Sequence, residues 1–355
     1  MAIAASGAVS FSDLRTEYSA TGAVSFSDFY RGAASGFVRA LAANNTATNL
    51  SAGVPASGTI NFTNFRSQAR GFRFTFTGGA TNQSGSGLFG TDWGVNYPKD
   101  IIINSGVTIG GTSASEEALE ISTGGLGTIT ITNNGTLIGA GGAANGGTGG
   151  DAFEAFVACT LVNNGSILAG GGGGAKGGNG GTGGGGSYTT TGGNTYITFA
   201  QSGSPCTQNM FSGYNNYVNK YVTQTSCCMG EGYTCKLYGQ PQNTVNTSGG
   251  AGGAGGNGGV GAGYNQNVSN GSGGAGGANG GTNAGAGGTG GTGGNGGGYG
   301  TNGSAGTNGA NGANGNRTGG AGGGAAGSAG TAGAAVRGTS FATVTNNGTI
   351  TGGQV

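Results

Sequence analysis

The first 70 residues contain a short motif three times, in which Val or Ile and then Phe alternate with polar residues. The copies occupy residues 7–15, 22–31 and 58–66, and the first reads Gly-Ala-Val-Ser-Phe-Ser-Asp-Leu-Arg. Alternation with a period of two predicts a short strand, and the Ser or Thr before Asp or Asn predicts a turn or a helix N-cap. Each copy is too small to fold alone, so we expect the motifs to dock on one another or on a partner.

A second repeat joins two strand-like runs through an Asn-Asn-Gly bend and then enters a run of glycines. It occupies residues 129–142, 160–173 and 343–353. Related apolar stretches precede the bends at residues 118–121, 152–156 and 334–338. Val, Ile, Leu and Thr favour extended backbone, whereas Asn and Gly tolerate the positive φ of a tight bend. These repeats predict stacked, β-solenoid-like rungs, with residues from about 170 to 334 inserted between the second rung and the third.

Within this insertion glycine recurs at every third position. It does so eleven times in succession from Gly285 to Gly315, and the same period runs from Gly249 to Gly263. A three-residue period specifies polyproline II geometry, which has no internal hydrogen bonds, so its amides must bond to neighbouring segments. Collagen shares the period but needs abundant Pro, and this tract has none. We therefore predict a bundle of polyglycine II helices held by backbone hydrogen bonds, with a disordered tether as the alternative.

Composition separates the chain from ordinary globular domains, because 93 of its 355 residues are Gly, 4 are Pro and only 6% are charged. The net charge of +1 comes without a basic cluster, so we expect no nucleic-acid partner. The N-terminus lacks the pattern of a signal peptide, and no apolar run is long enough to span a bilayer. We therefore expect neither signal-dependent secretion nor membrane insertion.

Four of the five cysteines lie within thirty residues and are candidates for two disulfides: Cys206, Cys227, Cys228 and Cys235. A zinc site is the alternative, but the chain has no His, and the adjacent Cys227 and Cys228 lack the usual spacer between ligands. Cys159 follows an apolar stretch and is expected to be a small buried thiol. We expect no metal and no cofactor.

The chain contains few side chains that are suited to catalysis. From residue 160 to the end, Glu231 is the only acidic side chain, so the glycine-rich half cannot hold paired carboxylates. Without His the chain cannot build a Ser-His-Asp or Cys-His arrangement. Five carboxylates near the rung repeats are expected to be solvated surface groups: Glu116, Glu117, Glu120, Asp151 and Glu154. We therefore expect no enzymatic activity.

Two segments interrupt the glycine frame with bulky residues, at 187–248 and 264–270. Tyr offers a stacking face with one polar group, and Asn supplies neutral hydrogen bonds, a combination that suits sugars. The candidate receptor-binding residues are Tyr188, Tyr196, Tyr214, Tyr217, Tyr221, Tyr233, Tyr238, Tyr264, Asn265, Asn267, Tyr299 and Asn302. Alternatively, the tyrosines form the core of a small disulfide-stapled knob. Tyr264, Tyr299 and Asn302 fit a core less well, because their neighbours are Gly, Asn and Thr.

The Asn-Asn-Gly strands that run into poly-Gly resemble the glycine-rich tail-fibre adhesins of tailed phages, and T-even-like adhesins with a polyglycine II sandwich are the nearest analogy. The resemblance covers residues from about 133 to the C-terminus. It implies that residues 187–248 and 264–270 form loops that bind a bacterial surface glycan or outer-membrane protein. Residues 1–70 are similar to N-terminal segments of phage tail proteins, which implies attachment to other tail or fibre proteins. The protein would be made in the host cytoplasm and reside in the virion.

We therefore predict a mainly β and polyglycine II protein that acts as a phage adhesin. Its predicted parts are docking repeats 1–70, a β-rung domain 71–170, a glycine-rich body 171–335 with an inserted Cys/Tyr-rich knob 187–248, and a closing β-strand 336–355. A secreted structural or ice-binding protein is the alternative, disfavoured by the docking repeats and by irregularly spaced threonines. A depolymerase is disfavoured by the scarcity of acidic residues. A monomer and a homotrimer both remain open.

Overall fold

The computed structural model describes residue 3 and residues 8–33, 37–40, 47–66, 68–202, 216–227, 232–264 and 266–355. The N-terminal elements are α1 (Phe11–Glu17), two 3-10 helices (Phe26–Phe29 and Phe62–Phe65) and β1 (Thr48–Asn49). The next elements are β2 (Phe72–Phe76), β3 (Ala80–Thr81), β4 (Gln83–Ser84), α2 (Gly85–Phe89), a 3-10 helix (Gly90–Asp92), β5 (Lys99–Ile103), β6 (Thr108–Gly110), β7 (Leu119–Ile121), β8 (Ile129–Asn133), β9 (Thr136–Ile138), β10 (Phe153–Ala155), β11 (Cys159–Asn163) and β12 (Ser166–Leu168).

The remaining elements are strands. Within the insertion lie β13 (Gly186–Thr191), β14 (Thr195–Ser202), β15 (Tyr217–Cys227) and β16 (Gly232–Thr247). The C-terminal strands are β17 (Ala334–Arg337), β18 (Ala342–Asn346), β19 (Thr349–Thr351) and β20 (Gly353–Gln354). The region expected to be one closing strand is thus four short ones, because Gly338, at φ 80°, the Asn-Asn-Gly bend and Gly352, at φ 121°, divide it. The prediction of a mainly β protein is confirmed.

The three N-terminal motifs form helical turns, and the predicted short strands at these positions are wrong. Each Phe begins a helix whose N-cap is the polar residue before it: Ser10, Ser25 and Asn61. In each motif the side chain three residues after the cap accepts a hydrogen bond from the backbone N–H of the cap, which completes a capping box. A helix therefore begins in each motif, but its N-cap lies two residues before the predicted Ser12, Ser27 and Thr63. The local hydrogen bonds of the capping box outweigh the strand-like alternation.

Most of the remaining strands belong to three sheets that are parallel except for β1. The sheets have the orders β1-β2-β5-β8-β11-β18, β3-β6-β9-β12-β19 and β4-β7-β10-β17-β20. Thr160 pairs with Thr130, thirty residues earlier, and with Thr343, which lies 183 residues later. The chain therefore leaves the sheets after β12 and returns to them at β17.

The inward side chains of the three sheets pack into one core. Pairing in register stacks Ile101 on Ile131 and Ile131 on Leu161, and all three are fully buried. A second sheet contributes Ile109, Leu137 and Ile167 in the same way. Burying one such side chain contributes about 1.5–3 kcal/mol, so these columns carry much of the stability of the sheets.

The Asn-Asn-Gly bends stack into two ladders of side-chain amides. Nδ2 of Asn133 donates to Oδ1 of Asn163 over 2.8 Å, and Nδ2 of Asn163 donates to Oδ1 of Asn346 over 2.7 Å. Asn133 and Asn163 are fully buried. The neighbouring Asn164 forms a second, exposed ladder with the residues that follow Asn133 and Asn346. The bends therefore join successive repeats as well as reversing the chain.

The glycine-rich segments have neither helix nor strand over residues 170–185, 249–262, 271–280, 284–298, 301–315 and 319–333. They bond to one another with a period of three. In the segment 170–185, here called the central segment, the N–H groups of Gly174, Gly177 and Gly180 donate to residues 259, 256 and 253 over 2.8–2.9 Å. The next residue of each triplet donates instead to the segment 301–315. Each neighbour thus receives every third amide of the central segment.

Candidate receptor-binding face

The inserted segment forms an antiparallel sheet built around the long strand β16. Its C-terminal half pairs with β13, and its N-terminal half is flanked by β14 on one side and β15 on the other. The tyrosines predicted on loops at 188, 196, 217, 221, 233 and 238 therefore lie on strands. The reason is local, since Tyr, Thr and Val are strong strand formers and alternate along these segments.

The two faces of this sheet differ in burial. Along β16, Cys235 and Leu237 are buried, whereas Lys236 and Tyr238 are half-buried and point to the opposite side. Residues directly opposite each other on neighbouring strands share a face. We call the side of Lys236 and Tyr238 the tyrosine face; it includes their cross-strand partners Tyr221, Thr223 and Thr198.

A pair of stacked rings lies on the tyrosine face. The ring centroids of Tyr221 and Tyr238 are 5.0 Å apart and their planes differ by 3°. Tyr221 is 54% exposed, so its ring presents the flat aromatic surface of the pair to solvent. On the other side of Tyr238, the backbone of Tyr196 is its partner in register. The sheet therefore aligns three of the predicted tyrosines in one cross-strand row, although only two of their side chains are described.

A polar row lies beside the tyrosine row. Lys236 is directly opposite Thr198 on one strand and Thr223 on the other, and both threonines are exposed. Residues two apart on a strand are about 7 Å apart, so this row lies within one sugar ring of the tyrosines. The candidate residues chosen from the sequence did not include Lys236, Thr198 and Thr223, because their position beside the tyrosines follows only from the strand register.

A bulge borders the face at its other end. Asn219 has a positive φ of 52°, and the pairing between β15 and β16 shifts between Val218 and Tyr221. Nδ2 of Asn219 donates to Oε1 of Gln240 over 2.7 Å. The extra residue restores Tyr221 to the side of Tyr238, as bulges commonly re-aim side chains next to functional sites.

The other candidate residues are distributed over the molecule. Tyr188 and Tyr217 are half-buried on β13 and β15. Asn267 is exposed and Tyr299 is half-buried. Residues Tyr214 and Asn265 lie outside the described residues, as do the side chains of Tyr196 and Tyr233. The structure therefore brings only part of the predicted set together on one face.

Tyr264 and Asn302 have structural contacts that the sequence did not indicate. A Cβ atom on Gly110 would lie 2.0 Å from the ring of Tyr264, so this half-buried ring packs directly on β6. The bare backbone of Gly110 provides the space. Asn302 is exposed, but its Oδ1 accepts a hydrogen bond from the N–H of Ala332 over 2.8 Å. Both residues therefore help to hold the scaffold.

The cysteines are only partly described. Cys235 is buried and disulfide-bonded, whereas the side chains of Cys206, Cys227 and Cys228 lie outside the described residues. The pairing of these four residues therefore stays a prediction. Cys159 is a free, buried thiol, as expected, and burial raises its pKa to about 11.

Three carboxylates gather where the returning chain meets the sheets. Oxygen atoms of Glu117, Asp151 and Glu154 lie within 4.8 Å of one another, a spacing at which carboxylates can hold a cation. Here Arg337 brings the positive charge: its Nε bonds to Asp151 and lies 3.7 Å from Glu154. Asp151 is buried, so the expectation that these carboxylates are solvated is wrong for this residue.

Glu154 will make the stability of the fold depend on pH. The pKa of Glu154 is raised from its ordinary value of 4.5 to about 7, mainly by burial and also by the nearby carboxylate of Glu117, whereas Arg337 lowers it. Because the folded-state pKa is the higher one, the stabilisation is fully present below pH 4.5 and is lost as pH rises through about 7. Urea unfolding at pH 5 and pH 8 will show a smaller difference in Glu154→Gln than in the wild type. An equal difference in both proteins would contradict this assignment.

Among the described residues, no helix has both the length and the apolar character needed to cross a membrane.

Comparison with known protein families identifies a match. The family model of the phage tail fibre adhesin Gp38 matches residues 72–272, more than half of the chain. The matched stretch runs from β2 to beyond β16 and includes the tyrosine face. No curated protein and no solved structure matches the chain.

Proposed function

This chain belongs to the phage tail fibre adhesin family Gp38, and we propose that it binds a bacterial surface glycan or outer-membrane protein through the tyrosine face. Members of such a family are structural proteins of the virion that bind a host receptor and associate with other tail proteins. The single observation that carries the proposal is the stacked pair Tyr221 and Tyr238, whose Tyr221 ring is exposed to solvent. Aromatic surfaces bordered by hydroxyl and amide groups are typical of recognition sites. Family membership favours the adhesin over the alternative of a secreted structural or ice-binding protein.

We propose that the glycine-rich segments are polyglycine II helices and that they form a rigid mount for this face. The period of three in their hydrogen bonds supports this, because a helix with three residues per turn directs every third amide to the same neighbour. The sheet begins at Gly186, directly after the central segment, and its strand β16 ends at Thr247. Beside these two ends of the sheet, the N–H of Gly183 donates to the carbonyl of Gly250 over 2.8 Å and joins the two segments of chain. Likewise, we propose that the three parallel sheets are a β-solenoid-like stack.

We also propose that the N-terminal motifs attach the protein to other tail or fibre proteins. Phe11, Phe26 and Phe62, one from each motif, form a triangle with ring centroids 5.3, 6.5 and 4.9 Å apart. All three rings are half-buried above fully buried Leu14, Phe29 and Phe65. A partly exposed aromatic cluster of this kind offers apolar area to a protein partner.

Removing the outer part of the sheet will separate receptor binding from folding. Thr191 pairs with Gln242 across the β13–β16 ladder, so an Asn-Gly turn can join these residues in place of residues 192–241. We expect the shortened protein to keep its thermal unfolding midpoint within a few degrees, because the three parallel sheets and the glycine-rich segments are untouched. In a pull-down with bacterial cells it will lose binding that the wild type shows.

The matched control is Asn267→Ala, which alters an exposed candidate residue outside this sheet and should leave cell binding unchanged. Cell binding that survives in a folded protein lacking residues 192–241 would refute the proposed role of the tyrosine face.

A further inference from the structure

The charge of the chain is divided unevenly between its two halves. Residues 160–355 carry five basic residues and a single acidic one, a net charge of +4, whereas residues 1–159 carry seven and ten, a net charge of −3. Arg337, one of the five, is paired with Asp151. The part of the chain that presents the tyrosine face is therefore positive, although the whole protein is nearly neutral. A net positive charge in this part of the chain favours a negatively charged ligand.

One of these positive charges lies on the tyrosine face itself. Lys236 is in the row beside the Tyr221–Tyr238 pair and has Thr198 and Thr223 as its cross-strand neighbours. Lys220, the other lysine of β15 and β16, packs its Cγ near Gly239, whose neighbours Tyr238 and Gln240 point the opposite way. Lys236 is thus the cation that accompanies the stacked rings.

We propose that the tyrosine face binds a saccharide that carries a carboxylate or phosphate group. The apolar face of one sugar ring stacks on the outer face of the Tyr221 ring, and its acidic group is bound by the ammonium group of Lys236 in the neighbouring row. The hydroxyl groups of Thr198 and Thr223 bond to the acidic group or to neighbouring sugar hydroxyls. This inference rests on the proposed adhesin function and names the class of its receptor.

The composition of the face favours a sugar over a protein receptor. The core of a protein interface is apolar and depleted in Lys, whereas here two threonines and a lysine directly adjoin the aromatic pair. The two rings are parallel and stacked, with centroids 5.0 Å apart, so the outer face of the exposed Tyr221 ring offers a flat surface, which suits the flat face of a pyranose. The Asn219–Gln240 hydrogen bond holds an amide pair at the edge of the same strands.

The test measures binding of the full-length protein to two matched pairs of immobilised sugars. One pair is a phosphorylated lipopolysaccharide core oligosaccharide and its dephosphorylated form, and the other is an oligogalacturonate and a neutral oligogalactose. We expect the charged member of at least one pair to bind at least tenfold more tightly, with an affinity that falls as NaCl is raised. The pair whose charged member binds more tightly shows whether the acidic group of the ligand is a phosphate or a carboxylate.

Three variants connect this preference to the face. Lys236→Gln is expected to lower the affinity for the charged sugar about tenfold and to leave the neutral sugar unaffected. Lys176→Gln removes the same charge from an exposed position in the central segment and should change neither. Tyr221→Ala should weaken both members of a pair, because they share the stacking surface.

The proposal fails if charged and neutral sugars bind equally, or if Lys236→Gln and Lys176→Gln behave alike. It also fails if no sugar binds while cells are bound and protease treatment of the cells abolishes that binding; the receptor is then a protein, and the adhesin function stands. If a panel of bacterial strains shows no binding of the wild type at all, the proposed adhesin function fails as well.

Discussion

Replacing Gly177 by Ala will loosen the glycine-rich body, although the change adds a single methyl group. A Cβ atom at this position would lie 2.1 Å from the carbonyl oxygen of Gly291, which belongs to the backbone of a neighbouring segment. Because backbone cannot turn aside as a side chain can, the two segments must separate. Separation weakens the hydrogen bond from the N–H of Gly291 to the carbonyl of Gly178, now 2.7 Å long, and those of the adjacent triplets.

The expected cost is about 3 kcal/mol, from overpacking together with buried amides that lose their partners. Differential scanning calorimetry should show a midpoint lower by roughly 5–10 °C. Hydrogen exchange will report faster exchange of the amides in residues 284–298, which donate to the central segment, with little change in the parallel sheets.

Gly276→Ala is the matched control for this variant. Gly276 lies in segment 271–280 of the same body, is exposed, and has no atom within 4 Å of the position that a Cβ would take. We expect its stability to stay within about 0.5 kcal/mol of the wild type, or to rise slightly because Ala restricts the unfolded chain. Equal loss in both variants would show that glycine is needed here for backbone conformation and not for close approach.

Replacing Asn163 by Ala will have a comparable effect on the parallel sheets. Asn163 is fully buried and links the ladder in both directions: it accepts from Asn133 and donates to Asn346 and to the carbonyl of Thr349. Its removal leaves amide and carbonyl groups without partners in a place that water reaches poorly, at about 1–3 kcal/mol for each unsatisfied group. We expect a total loss of about 3 kcal/mol in the free energy of unfolding by urea.

The adjacent residue offers a control with the same chemistry. Asn164 bonds to Asn134 and Asn347 over 2.9 Å, but it is exposed, so water can replace its partners. Asn164→Ala should therefore lose less than about 1 kcal/mol. Similar losses in Asn163→Ala and Asn164→Ala would mean that the inner ladder contributes no more than the outer one.

Both predictions concern the stability of the scaffold that carries the tyrosine face. The parallel sheets are held largely by apolar columns, whereas the glycine-rich segments depend on backbone hydrogen bonds. A support made of backbone bonds leaves side chains free to vary on exposed positions, since the bonds do not involve them. This division is consistent with an adhesin, whose binding residues can change without rebuilding the scaffold.

The repeats could be found from the sequence because their signals are local. The Asn-Asn-Gly bends and their flanking Thr, Ile and Leu residues predicted strands, and β8, β11 and β18 occupy these positions. The N-terminal motifs carry two local signals that compete. The strand-like alternation was preferred there, although Ser10 and Asp13 have the spacing of a capping box and decided the outcome.

The tyrosine face could be predicted from the sequence only in part. The tyrosines could be chosen by residue type, but Tyr221 and Tyr238 are seventeen residues apart, and their stacking depends on the register of two strands and on the bulge at Asn219. Lys236 gave no signal, because a single lysine among Thr, Cys and Tyr is common on any surface. The contact between Asp151 and Arg337 was likewise hidden, since 186 residues separate them.

The sequence by itself determined the class of this protein: strands with Asn-Asn-Gly bends, a glycine period of three, and a resemblance to tail-fibre adhesins that the family match confirms. These properties depend on residues close together in the chain, so local propensity and periodicity reveal them. Only the tertiary structure decided which amides of the glycine-rich segments bond to which, which carboxylates are buried, and which tyrosines share a face with Lys236. Those outcomes depend on where a long insertion leaves the sheets and returns, and distances between residues far apart in sequence are not encoded in any local pattern.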